Sequence, residues 1–126
     1  MTKDDIFHIK QLLSKPKNIV IIPHKNPDGD AIGASLGLYH FLIKQRHYVN
    51  VIAPNDYPDF LKWMPAEALV LKYDNETEKG NALIENADLI FTLDFNALNR
   101  IGNMEMPVTS SKAIKIMIDH HQQPDD

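Results

Sequence analysis

Apolar residues along the chain fall into two kinds of segment. Four short runs rich in Val, Ile or Leu, at Asn18 to Pro23, Tyr48 to Ala53, Asp88 to Leu93 and Ala113 to Ile118, are bounded by turn residues. Continuous apolar runs of this length suit parallel strands covered on both faces. Ala68 to Lys72 is a weaker fifth run. Between the runs the spacing turns helical. Asp4 to Leu13 places Ile6, Ile9 and Leu13 on one face, with Asp4 and Asp5 in the first turn. Asp30 to Gln45 is apolar almost all round, so the pattern predicts a deeply packed helix. Glu78 to Ala87 is a third helix, and Ala97 to Ile101 holds one turn or two. Pro54, Pro58, Pro65 and Pro107 punctuate the loops.

Strands alternating with helices imply right-handed βαβ units. The expected fold class is α/β, a mostly parallel five-stranded sheet with helices on both faces. No repeat, low-complexity tract or linker divides the 126 residues, and a 44% hydrophobic fraction can bury one real core. In such sheets ligands gather beyond the carboxyl ends of the strands.

The net charge of -4 and pI near 5.8 argue against a broad basic surface for nucleic acid, because that binding rests on Lys and Arg neutralising phosphates. A phosphate-bearing substrate would need a local attraction. Cysteine is absent, which excludes disulfides, thiolate zinc sites and a cysteine nucleophile. The N-terminus lacks an uninterrupted apolar run of the secretory kind, and Ala31 to Ile43, the longest apolar stretch, is too short to span a bilayer. A cytoplasmic protein with no membrane association is the expectation. Asn75-Glu76-Thr77 matches a glycosylation sequon, but with no export signal the match is read as chance.

The candidate chemistry sits at three expected strand ends. His24, Asp28 and Asp30 follow the first run in HKNPDGDA; Asp94 follows the run Asp88 to Leu93 in FTLDFN; Asp119, His120 and His121 follow Ala113 to Ile118 in IMIDHH. Carboxylate with imidazole and no thiolate favours Mn²⁺ or Mg²⁺ and tolerates Zn²⁺, Co²⁺ or Fe²⁺. Several carboxylates would overcharge one ion. Two ions roughly 3.5 to 4 Å apart would balance them and could activate a shared water, which fits hydrolysis of a phosphoester or phosphoanhydride.

Each element also has a plainer reading. Asp28 or Asp30 suits a helix cap, with Asn26-Pro27 and Gly29 making the turn, and Asp94 suits a cap for the short helix after it. A calcium loop fails, since the twelfth position from Asn26 or Asp28 is Gly37 or Tyr39 rather than Glu. Asp119 could bond to backbone beside one half-buried histidine. His8, His40 and His47 sit on helical faces or ends and read as structural. The single Trp63, in DFLKWMP, reads as a packing residue rather than a stacking one. The coincidence of positions carries the inference, not any one residue.

HKNPDGDAIGASLG, DLIFTLDFNALNRIG and IMIDHH, in that order, resemble the first three motifs of the DHH phosphoesterase superfamily. PNDYPDFLKWMP is similar to that family's loop between strands two and three. The resemblance implies a centre of two metal ions, usually Mn²⁺, with Mg²⁺ or Co²⁺ as substitutes. His24 and Asp28 would bind one ion, Asp30 and His120 the other, and Asp94 would bridge them. Asp119 would orient the imidazoles and His121 would face the substrate phosphate. Asn26 either touches substrate or shapes the turn. Arg100 is either a phosphate contact or an exposed helix-end cation.

Within the superfamily, His24 counts against the RecJ-like exonucleases, which carry aspartate there. NPDGDAIG resembles the oligoribonuclease and 3'-phosphoadenosine 5'-phosphate phosphatase branch, whose partners are short RNA or phosphorylated nucleotides; a homodimer is compatible with it. Family II pyrophosphatases, cyclic-dinucleotide phosphodiesterases and a non-catalytic nucleotide- or partner-binding module are the alternatives. Ala34 stands where many relatives have serine. Relatives also supply a further ligating aspartate downstream and a smaller glycine-rich domain. Residues 1–126 therefore read as an incomplete N-terminal catalytic domain, which alone would turn over little.

Overall fold

The computed structural model describes residues 3–24, 29–57, 62–63, 67–93 and 102–118. In chain order these form α1 (Lys3–Leu12), β1 (Asn18–Pro23), α2 (Gly29–Lys44), β2 (Tyr48–Ala53), a 3-10 turn (Glu67–Leu69), β3 (Leu71–Lys72), α3 (Thr77–Asn86), β4 (Leu89–Leu93), α4 (Glu105–Ser110) and β5 (Ile114–Ile118). The five strands make one sheet in the order β3-β2-β1-β4-β5, and every pairing is parallel. The expected α/β class is the observed one.

The apolar runs are continuous because each central strand feeds two cores. From β1 and β4, Ile19, Ile21, Leu89, Phe91 and Leu93 join Ile32, Leu36 and Leu42 of α2 on one face. Val20, Ile22 and Ile90 meet Ile84 of α3 with Met104 and Val108 around α4 on the other. The period of two that defines a strand is thus present in the packing but silent in the hydropathy. No helix among the described residues is long and apolar enough to cross a membrane.

Four expectations need correcting. α2 is not deeply packed all round: Ile32 and Leu42 are fully buried, whereas Phe41 is 55% exposed and Ile43 41%. A helix lying on a sheet buries one stripe only. Phe41 instead faces α1 across a groove of about 650 Å³ lined also by Ile6, Ile9 and Leu13. The fourth strand starts at Leu89, since Asp88 turns its carboxylate to the amino end of β1 and accepts the Asn18 N–H at 2.8 Å. The weak fifth run yields two strand residues, its first part being the 3-10 turn. Pro107 is the third residue of α4 rather than a loop residue. There its missing N–H costs nothing, because first-turn amides lack an intrahelical acceptor. The short helix anticipated at 97–101 lies outside the described residues.

At the end of α2 the chain turns through Arg46 at φ 70°. The His47 N–H reaches the Leu42 carbonyl at 3.2 Å and the Arg46 N–H the Ile43 carbonyl at 2.9 Å, the paired closure of a Schellman motif. His47 is buried, and its Nδ1 accepts the Lys17 N–H at 3.1 Å. That bond ties the entry of β1 to the entry of β2. His8 and His40 are exposed instead. The His47 Nε2 is buried without a partner among the described residues. Burial above all, with the Lys17 charge second, lowers the His47 pKa from its ordinary 6.5, while the Leu13 backbone pulls the other way. The folded state therefore binds its proton less readily than the unfolded chain. This contribution to stability is complete above pH 6.5 and is lost as pH falls through the depressed folded-state value. The urea midpoint should decline below that pH, and His47→Gln should flatten the decline; an unchanged slope would remove His47 from the account.

Candidate functional site

Strand register decides where the site residues leave the sheet. Pro23 of β1 pairs with Leu93 of β4, and Leu93 pairs with Ile118 of β5. Three adjacent strands thus end level, and the next residues along the chain are His24, Asp94 and Asp119. With neighbouring strands roughly 4.8 Å apart, the outer two of these ends lie about 10 Å from each other. The connections after β1 and β2 build the sheet to one side, and the connection after β3 crosses β1 to start building on the other. The switch point falls between β1 and β4, the place where open α/β sheets hold ligands.

His24 continues directly from β1 and is buried, 8% exposed. α2 opens at Gly29, so Asp30 occupies its second position. The Asp30 side chain, and all of Asn26, Asp28, Asp94, Arg100, Asp119, His120 and His121, lie outside what the structure describes. Among the described residues, no three or more histidine or acidic side chains gather around a metal position. The fit of a metal centre therefore rests on the register and on donor chemistry: hard oxygen and imidazole groups follow level strand ends at the switch point.

The ends of β2 and β3 carry a different cluster, which sequence reasoning missed. In the connection from β2 to β3, Glu67 is buried, 8% exposed. Its Oε2 accepts the Tyr57 hydroxyl at 2.6 Å and Lys72 Nζ at 2.8 Å. Burial alone would raise the Glu67 pKa, but the bonds from Lys72 and Tyr57 outweigh it and hold the carboxyl below its usual range. Burial and the same Glu67 contact push the Tyr57 phenol upward. Lys72 Nζ stands 5.2 Å from the centre of the Tyr57 ring, and Lys62 Nζ stands 5.7 Å from it. Lys62 also pairs with Asp56 at 3.1 Å, and the Asp56 carboxyl is held low by the Tyr57 N–H first and by Lys62 next. The only signal in the sequence was the loop-like string PNDYPDFLKWMP, which says nothing of who pairs with whom. Trp63 departs from expectation too: it is 74% exposed and does not pack into the described core.

Fold and switch point together define an α/β domain with a parallel sheet, whose ligand-binding edge lies beyond the carboxyl ends of β1 and β4. The chain belongs to the DHH family, whose N-terminal domain matches residues 18–126. Over 106 residues it is 38% identical to the bifunctional oligoribonuclease and PAP phosphatase NrnA of Thermus thermophilus, covering 82% of this chain and 28% of that protein. It is also similar to the crystal structure of an exopolyphosphatase-related protein from Bacteroides fragilis, with a TM-score of 0.91 and 52% identity, covering all of this chain and 38% of that one. The chain thus spans well under half the length of these relatives.

Proposed function

We propose that this chain is the N-terminal catalytic domain of a cytoplasmic, manganese-dependent phosphoesterase that hydrolyses short oligoribonucleotides or 3'-phosphoadenosine 5'-phosphate. The observation that carries the reading is the level ending of β1, β4 and β5, followed in the chain by His24, Asp94 and Asp119. The similarity to NrnA supports the substrate class. In this reading His24 and Asp28 would hold one ion, Asp30 and His120 a second, and Asp94 would serve both. Bound divalent ions would supply charge neutralisation and water activation at neutral pH. The chain's own part is positional: Asp119 orients the imidazoles, His121 donates to the substrate phosphate, and Asn26 and Arg100 contact it. The exopolyphosphatase-related neighbour favours a second reading, cleavage of a phosphoanhydride.

Because the domain makes up 28% and 38% of its relatives, the assay belongs on the full-length gene product. Phosphate release from 3'-phosphoadenosine 5'-phosphate should disappear on chelation and return with Mn²⁺. Release from pyrophosphate alone would select the second reading. Absence of Mn²⁺ binding in calorimetry, together with no turnover, would leave a non-catalytic module.

A further inference from the structure

An indole exposed to water forfeits one of the largest burial gains a side chain can make, so its exposure needs a reason. The residue before Trp63, Lys62, is fastened by Asp56 at 3.1 Å and by the face of the Tyr57 ring. Tyr57 is itself locked to buried Glu67, which Lys72 at the end of β3 neutralises. Lys62 thus contacts Asp56 and Tyr57, which follow β2, through a partly exposed pair, and Trp63 beside it is 74% exposed. This connection leaves β2 at Ala53, which pairs with Lys72 of β3, and β2 is the direct neighbour of β1. The connection that carries Trp63 thus starts at the same edge of the sheet as His24.

We infer that Trp63 stacks on the nucleobase of a substrate whose phosphate lies at the ends of β1, β4 and β5. The inference rests on the phosphoesterase reading and narrows it, since pyrophosphate or polyphosphate offers no ring to stack. Stacking accepts any base, because every base has a π-face, and it suits a substrate class of short oligonucleotides without sequence preference. It also supplies affinity that an acidic surface cannot supply through charge.

The chain has one tryptophan, so its fluorescence reports on this residue alone if the remainder of the full-length product is made tryptophan-free. Adenosine 5'-monophosphate should quench it saturably, and ribose 5-phosphate should not. Calorimetry should show the wild type preferring adenosine 5'-monophosphate over ribose 5-phosphate by roughly tenfold, the size of one base stack. Trp63→Ala should lose that preference and Trp63→Phe should keep most of it. A preference that survives Trp63→Ala overturns the inference, even where phosphoester hydrolysis is intact. So does a change of oligomeric state in Trp63→Ala with the preference unchanged, which would mean the ring packs on another chain. A preference that depends on Trp63 in a protein without hydrolytic activity would uphold the base site and sink the catalytic reading.

Discussion

Asp94→Ala is expected to abolish phosphate release, lowering kcat by roughly a thousandfold or more, because the change removes outright the ligand proposed to serve both metal ions. The position argues for this residue above its neighbours. β4 lies between β1 and β5, and its last residue is level with the last residue of each. A carboxylate following the middle strand is the one best placed in the chain to be shared between ligands that follow the outer two. Mn²⁺ affinity in calorimetry should fall together with activity. Asp94→Asn separates this role from the plainer one. Asn caps a helix about as well as Asp, so a capping residue would tolerate the change, whereas a bridging ligand needs the charge. Wild-type turnover in Asp94→Asn would end the metal assignment.

What the sequence disclosed follows from which physical signals are local. β1 and β2 were legible to the residue because runs such as NIVIIP and YVNVIA stop at turn residues. The extent of α2 was nearly legible from its long apolar stretch, but the one stripe it buries was not, because the segment reads apolar almost all round. α4 was not legible. It has six residues and contains Pro107, and the apolar pair that anchors it, Met104 and Val108, both fully buried, begins at the residue before the helix. The strand order was equally hidden. Strands buried on both faces show no alternation, so nothing local says that β1 lies between β2 and β4. Candidate site residues could be named because carboxylates and histidines after apolar runs are a chemical signal. Their common level could not, since it depends on register. Glu67 shows the same limit from the other side. A glutamate near a turn reads as solvated, and only the meeting of Tyr57 and Lys72 across the β2–β3 connection explains why it is buried.

Ile90→Ala should be the costliest single change to the fold described here, and its contrast with Ile114→Ala tests the sheet order itself. Ile90 is fully buried, sits in β4 between two hydrogen-bonded neighbours, and packs with Ile84, Met104 and Val108. Truncating such a side chain removes apolar burial and leaves a cavity that close-packed neighbours fill only in part, a loss of about 2–5 kcal/mol. Set against a typical domain stability of about 5–15 kcal/mol, that is enough to unfold a marginal protein at elevated temperature. Ile114 opens β5, the edge strand, and is 46% exposed. The same truncation there gives up little burial and leaves no closed cavity, so its cost should stay near 1 kcal/mol or below. Urea unfolding of both variants reads the difference directly. Equal losses would mean that β5 is covered as fully as β4, and with it would go the assignment of β4 as the middle of the three strands that end at the site.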